Sequence, residues 1–330
     1  MQFPTADDVL AAAARIEGRV VRTPVLRSPM LDRLTGGTIL LKAEPLQRTG
    51  SFKLRGATNA LLQLNAAERA RGVVAHSSGN HGQAIACAAA SLGMTATIVM
   101  PADAPVVKVE STRRWGATIV TYDRKLDDRE AISREIAGRT GAALIPPFEH
   151  PHVIAGQGTV ALELWQDTDQ DLDALLVCTG GGGLIAGCAL VTEAASPDTE
   201  IYAVEPVGSD DTARSLRSGV REVNAPGGST LCDALLTPQP GAMTFALNQE
   251  RVSGALVVPD KDVLAAMAFA FLHLKIVVEP GGAVALAAVL SGLFPAQERV
   301  VGVVLSGGNV DAHVFSRALA LTSLPIATLP

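Results

Sequence analysis

Short continuous runs of Val, Ile, Leu and Ala alternate along the chain with longer stretches whose apolar residues recur at helical spacing. The runs predict strands at 38–43, 72–75, 95–100, 118–122, 174–178, 200–204, 255–258 and 300–305. The longer stretches predict helices at 82–92, 106–115, 127–140, 153–166, 183–194, 260–274 and 281–290. Strand–helix–strand alternation with Gly- or Pro-marked connections predicts an α/β fold with parallel sheets. The strands are apolar at successive positions, as expected when both sheet faces are covered. Ligands of such sheets bind beyond the carboxyl ends of the strands, so the loops that follow strands are where chemistry belongs. The Pro-containing stretch 145–151 is the best domain-boundary candidate.

Composition narrows the class. The 330 residues are 48% hydrophobic and only 18% charged, which excludes a disordered chain, a coiled coil and a collagen-like repeat. A net charge of −6 without a basic stripe argues against nucleic acid as a partner. The start, Met1-Gln-Phe-Pro-Thr-Ala-Asp-Asp8, carries acids where an export signal needs cations, and no run approaches the roughly 18 apolar residues of a membrane span. A cytoplasmic protein without a membrane partner is the expectation. Cys87, Cys178, Cys188 and Cys232 sit among small apolar residues without C-x-x-C spacing and read as buried thiols. Only six residues are lysine: Lys42, Lys53, Lys108, Lys125, Lys261 and Lys275. Chemistry that needs an amine nucleophile has few candidates.

Four loops carry that chemistry. The first, Glu44-Pro-Leu-Gln-Arg-Thr-Gly-Ser-Phe-Lys-Leu-Arg-Gly56, follows a predicted strand and puts Lys53 at the mouth of a helix beginning near Ser51. The positive end of the helix dipole there favours the neutral, nucleophilic amine, although a solvated lysine fits the same position. The second, Cys178-Thr-Gly-Gly-Gly-Gly-Leu-Ile-Ala-Gly187, places four glycines between a buried strand and an apolar helix. Their N–H groups can converge on a phosphate at the helix N-terminus. Gly181-x-Gly183-x-x-Ala186 also satisfies a dinucleotide fingerprint, with Glu205 about where a ribose-binding acid belongs. The third loop, His76-Ser-Ser-Gly-Asn-His81, offers Ser77, Ser78, Asn80 and helix-start N–H groups to an anion, or simply caps the helix. The fourth, Leu305-Ser-Gly-Gly-Asn309, either turns the chain or presents the Ser306 hydroxyl.

Together these loops resemble the fold-type II pyridoxal-phosphate enzymes, specifically the threonine/serine dehydratase and serine racemase family. The matching pieces are Gly50-Ser-Phe-Lys-Leu-Arg-Gly56, Ser77-Ser-Gly-Asn-His-Gly82, Val153-Ile-Ala-Gly-Gln-Gly158, glycines 180–183, Glu279-Pro-Gly-Gly-Ala283 and Ser306-Gly-Gly-Asn309, in family order over about residues 20 to 312. The resemblance implies two parallel-sheet α/β domains of the tryptophan-synthase-β-like class. A small mobile domain of residues 70–148 would be inserted into a large one of residues 1–69 and 149–330. It implies that Lys53 holds pyridoxal 5'-phosphate, that Gly180, Gly181, Gly182 and Gly183 bind its phosphate, Asn80 its phenolic oxygen and Ser306 its ring nitrogen, and that Phe52 packs on the ring. Ser77, Ser78, Asn80, His81 and Thr237 would bind the substrate. Glu205, the Ser209 carbonyl and Asp211 would form a site for Mg²⁺, Mn²⁺ or Ca²⁺, against a plainer reading as acids near a helix start. A dinucleotide reading leaves Lys53, the Ser77 loop and Ser306 unexplained.

The implied activity is dehydration and deamination of a β-hydroxy amino acid, L-threonine or L-serine first and 3-hydroxyaspartate as an alternative, to a 2-oxo acid and ammonia. A neutral Ser306 hydroxyl cannot keep a ring nitrogen protonated as an aspartate would, which favours loss of the β-hydroxyl over transamination. Ser78, where eliminating members often have alanine, suggests a second base opposite Lys53 and hence a racemase as the alternative. A non-catalytic nucleotide- or cofactor-binding protein is the reading from another class. Arg129 occupies the place of a substrate-gating arginine in racemase-like members, or is a helix-surface charge. Ala234, in Cys232-Asp-Ala-Leu-Leu-Thr237, departs from the Asp-Gly of many members. A homodimer is what the family implies.

Overall fold

The computed structural model describes residues 2–77, 79–104, 106–123, 126–225 and 229–321. Among the described residues ten strands are formed: β1 (Val25–Leu26), β2 (Thr38–Ala43), β3 (Val73–His76), β4 (Ala96–Pro101), β5 (Thr118–Tyr122), β6 (Ala143–Leu144), β7 (Ala174–Cys178), β8 (Glu200–Pro206), β9 (Gly254–Val258) and β10 (Val300–Leu305). They make two sheets. One runs β1-β2-β10-β7-β8-β9 and the other β5-β4-β3-β6. Every pairing is parallel except that of β1 with β2. The chain is therefore two parallel-sheet α/β domains, as the resemblance implies, with the parallel sheets that the apolar runs predict.

All eight predicted strands form, four with the predicted ends and four with an end shifted by one or two residues. The two-residue β1 and β6 have too few positions to leave a pattern. β7 explains the continuous apolar runs: Ala174, Leu175, Leu176 and Val177 are fully buried at the middle of the larger sheet. Removing each large aliphatic side chain from water stabilises the fold by about 1.5–3 kcal/mol. The predicted helix 260–274 is α-helical only to Phe269 and continues as a π-turn, Ala270–Leu274, ending at Lys275 with φ 59°. Short amphipathic helices at Pro29–Thr35, Ala66–Arg71 and Asp211–Ser218 complete the connections.

The helix that begins at Lys53 (Lys53–Leu62) is pressed against the long helix Pro151–Gln166. A Cβ on Gly156 would lie 2.6 Å from the Gly56 Cα, so only glycine permits the approach. Gln157 Oε1 seals the contact by accepting from the Gly56 N–H at 3.0 Å. The stretch 153–158 thus serves to seat the Lys53 helix.

A buried charge network fixes the same helix. Arg55, fully buried, donates Nε to Glu44 Oε2 (2.9 Å), Nη2 to Glu44 Oε1 (2.8 Å) and Nη1 to Glu163 Oε1 (2.6 Å). Lys42, also fully buried, donates to Glu163 Oε2 at 2.7 Å and to the Thr23 carbonyl at 2.5 Å. Two cations face two carboxylates, so the group is neutral as a whole but intolerant of losing one member. Glu44→Ala leaves the Arg55 charge under-compensated in the core and is expected to lower the unfolding free energy by about 3–5 kcal/mol. Urea denaturation measures it, and a loss below about 1 kcal/mol would show that the network is not a structural anchor.

Candidate active site

A single cleft collects the predicted loops. Its walls include Phe52, Lys53, Ser77, Asn80, His81, glycines 180–183, Thr237 and Ser306, at the carboxyl ends of strands from both sheets. Hydrogen bonds stitch the Lys53 loop, the Ser306 loop and the Glu279 segment together. Phe52 N donates to Ser306 O (3.1 Å), Gly308 N to Gly50 O (2.8 Å) and Glu279 N to Gly307 O (3.0 Å).

Lys53 Nζ donates to the Pro147 carbonyl at 2.9 Å and lies 5.1 Å from the Phe52 ring centre. Burial pushes its amine down to about 8, partly opposed by Glu279. The sequence gives the helix dipole as the reason for a neutral amine; the structure makes desolvation the larger cause.

The glycines form a cradle. Among the described residues, the N–H groups of Gly180, Gly181, Gly182 and Gly183 donate no hydrogen bond, and helix Gly183–Ala195 starts directly behind them. Their carbonyls are tied back: Thr244 Oγ1 donates to Gly181 O (2.7 Å) and Asn248 Nδ2 to Gly182 O (3.4 Å). A Cβ on Gly181 would lie 2.3 Å from the Phe148 ring, and Gly182 has φ +85°. Side chains are excluded there by contact and by backbone conformation. Unpaired donors at a helix N-terminus suit a phosphate.

The remaining predicted residues take these places. Ser77 Oγ accepts from the Gly79 N–H at 3.1 Å; Ser78 lies outside the described residues. His81 is buried, its Nε2 is 2.9 Å from the Ile145 carbonyl, and burial lowers its pKa to about 3. The ring is therefore neutral, with Nε2 as the donor that the carbonyl requires. What His81 offers an anion is its backbone N–H in the first turn of helix Asn80–Ser91. Thr237 Oγ1 is buried with no hydrogen-bond partner, and Ser306 is 5% exposed. Asn80 Nδ2 donates to Glu279 Oε1 at 2.6 Å.

Glu205, near the end of β8, and Ser209 and Asp211, which follow that strand, lie outside the cleft. Glu205 is buried and accepts from Thr212 N (3.0 Å) and Ala213 N (2.8 Å), so it caps helix Asp211–Ser218; neither Asp210 nor Asp211 does. Asp211 Oδ1 accepts from Asn224 Nδ2 at 2.5 Å, and its Oδ2 is buried without a partner. No group of three or more His, Cys, Asp or Glu able to hold a metal occurs among the described residues.

Several residues of the site escape a motif reading. Glu279 enters the sequence argument only as part of a string, yet it is buried in the cleft and pushed up to about 8 by burial and Asp233. Phe148, Thr244 and Asn248 shape the cradle from behind. His76 lines the cleft with a buried, unpartnered Nδ1 beside Arg129.

The family model for pyridoxal-phosphate dependent enzymes matches residues 16–307. The chain belongs to this family. Its cofactor is accordingly pyridoxal phosphate, and the glycine cradle and the buried amine fit that group. Among similar proteins, L-threo-3-hydroxyaspartate ammonia-lyase of Pseudomonas sp is 47% identical over 320 residues, covering 97% of this chain and 99% of that one. Serine racemase of Schizosaccharomyces pombe is 42% identical, covering 96% and 98%. The structure of maize serine racemase superimposes with a TM-score of 0.91 at 38% identity over 97% of this chain and 98% of that one. The family's parallel two-sheet fold is thus shared.

A lowered amine pKa has a direct consequence. The neutral form reacts, so labelling of Lys53 in the cofactor-free protein by an amine-directed reagent is expected to rise with a midpoint near pH 8. Mass spectrometry of the labelled peptide follows it. A midpoint at the ordinary value of 10.5 would mean that the cleft does not desolvate the amine.

Proposed function

We propose that this protein catalyses β-elimination of a β-hydroxy amino acid to a 2-oxo acid and ammonia, as an ammonia-lyase. The observation that carries the reading is one cleft holding both a desolvated lysine amine and a cradle of unpaired N–H groups. The names of relatives, ammonia-lyases among them, agree. Pyridoxal phosphate, when bound, supplies an electron sink for the carbanion left at the α-carbon. The chain's own residues do the rest. The N–H groups of residues 180–183 would hold its phosphate, Asn80 would donate to its phenolic oxygen, Ser306 would meet its ring nitrogen and Phe52 would pack beside the ring. Lys53, whose amine burial pushes down to about 8, would take the α-proton. Ser77, the helix-start N–H groups of Asn80 and His81, and the unpartnered Thr237 hydroxyl bind the α-carboxylate.

Within that class the cleft favours a β-carboxylated substrate, 3-hydroxyaspartate, over the L-threonine or L-serine that the sequence puts first. Arg129 lines the cleft and has no carboxylate partner among the described residues, and the neighbouring His76 Nδ1 is unpartnered. A second substrate carboxylate supplies what both lack. Relatives of Pseudomonas sp and Saccharomyces cerevisiae bear the name L-threo-3-hydroxyaspartate ammonia-lyase. The racemase alternative, with Ser78 as second base, rests on relatives named serine racemase.

Around this centre, residues 70–148 would be the mobile small domain. Lys108 donates to Asp233 across the cleft, a pair whose acid is half exposed and therefore weak enough to open. Glu205, Asp211 and the Ser209 carbonyl would hold a divalent cation, which the unpartnered Asp211 Oδ2 accommodates. A cytoplasmic homodimer completes the reading. Among the described residues no helix is long and apolar enough to cross a membrane.

The test is 2-oxo acid release from a panel of L-threonine, L-serine and L-threo-3-hydroxyaspartate, with chiral analysis alongside. Lys53→Ala is expected to abolish release and the cofactor's protein-bound absorbance. Arg129→Met is expected to lower kcat/KM for hydroxyaspartate about 10- to 100-fold while changing serine by less than about threefold. Equal losses on both substrates would remove Arg129 from side-chain recognition, and D/L interconversion outpacing release would favour the racemase. Domain mobility has its own readout: hydrogen exchange in helix Val106–Arg113 should slow when a non-reactive dicarboxylate binds. Unchanged exchange would argue for a rigid cleft.

A further inference from the structure

Asn80 is gripped from two distant parts of the chain. Its Nδ2 donates to Glu279 Oε1 at 2.6 Å, and its Oδ1 accepts from Asn309 Nδ2 at 2.7 Å. Asn309 Nδ2 also donates to the Thr49 carbonyl at 2.8 Å. A backbone carbonyl can only accept, so Thr49 decides which end of the Asn309 amide faces it. The nitrogen so placed decides in turn that Asn80 meets Asn309 with its oxygen. The Asn80 nitrogen is left facing Glu279. One of its two N–H bonds goes to Glu279, and the second has no acceptor among the described residues, on a side chain that lines the cleft.

The two ends of an asparagine amide are nearly the same size, so packing alone does not choose between them. Hydrogen bonding must. Here the choice is relayed across the cleft, because Asn80 follows β3 of the smaller sheet whereas Asn309 follows β10 of the larger one and Glu279 precedes helix Pro280–Leu290, which leads to β10. We propose that Thr49, Asn309 and Glu279 form an orientation relay that obliges Asn80 to present an N–H, and never its carbonyl oxygen, to the cofactor's phenolic oxygen. Glu279 and Asn309 are then positioning residues that act through Asn80. This rests on the cofactor site proposed above. A flipped amide would set a carbonyl oxygen against a phenolate, replacing a charge-assisted hydrogen bond by repulsion.

The experiment uses the holoprotein, reading the absorbance of bound pyridoxal phosphate, its Kd by titration, and thermal stability. Asn309→Ala and Glu279→Leu are expected to shift the bound cofactor toward its neutral-phenol absorbance and to weaken binding about tenfold. Glu279→Gln keeps an acceptor oxygen and should retain both properties. In an Asn80→Ala background, Asn309→Ala should change Kd by less than about twofold, because its route of action is gone. Half-buried Asn309 carries the test if Glu279→Leu fails to fold. Single variants with unchanged absorbance and Kd, or effects that add fully to Asn80→Ala, would overturn the relay. A wild-type chain that shows no bound-cofactor absorbance would overturn the cofactor site itself, and the relay with it.

Discussion

The buried contact of Arg55 with Glu44 and Glu163 is the constraint on which the cleft depends. Arg55 lies two residues beyond Lys53 on the same helix, and its guanidinium reaches the segment after β2 and the helix Pro151–Gln166 at once. Desolvating such charges is costly, and apolar residues of similar volume often pack as stably. What the charges add here is geometry. Planar N–H···O contacts fix the helix against rotation and sliding, which the Gly56–Gly156 contact would otherwise permit, since small surfaces slip easily. Any change in helix register would carry the Lys53 amine away from the Pro147 carbonyl and out of the cleft.

Electrostatics inside the cleft follow from burial. Desolvation lowers Lys53, raises Glu279 and holds His81 neutral, so the groups nearest the amine carry less charge than their residue types suggest. Against that background the unpaired N–H groups of the glycine cradle stand out as a fixed source of positive potential. They need no counter-ion and undergo no titration. A phosphate bound there would gain hydrogen bonds without displacing a protein acceptor, because Thr244 and Asn248 already hold the neighbouring glycine carbonyls. On the proposed reading, this arrangement separates anchoring of the cofactor from proton transfer by Lys53.

Strands and loop residues were largely legible in the sequence, because both express local requirements. A doubly covered strand must be apolar throughout, and a phosphate cradle needs glycines in sequence. Lys53, glycines 180–183, Asn80 and Ser306 accordingly come together in one cleft as the loop argument expects, and Thr237, named only by the resemblance, joins them. Residues that work by tertiary contact were not legible. Phe148 matters because its ring fills the space a Cβ on Gly181 would need, and no spacing rule connects the two. Gly156 looked like part of a signature, whereas its contact with Gly56 is one of packing. Glu205 illustrates the opposite hazard: its position suits a ribose-binding acid in one pattern and a cation ligand in another, while its present hydrogen bonds cap a helix.

Separate motifs also turn out to be joined mechanically. Asn224, in a segment without regular secondary structure, donates through Nδ2 to Asp211 Oδ1, to Ser209 Oγ at 3.2 Å and to the Thr237 carbonyl at 2.8 Å. Ser209 Oγ donates to the Leu235 carbonyl at 3.2 Å. The wall of the cleft from Asp233 to Thr237 therefore hangs on Ser209, Asn224 and Asp211 behind it. The wall places the Thr237 hydroxyl, carries the acid that pairs with Lys108, and contributes to the field that raises Glu279. Because Glu279 in turn grips Asn80, a displacement of this short wall would reach both the Thr237 hydroxyl and the Asn80 amide. A sequence motif records only that each residue is present; the hydrogen bonds between motifs determine whether they act as one site.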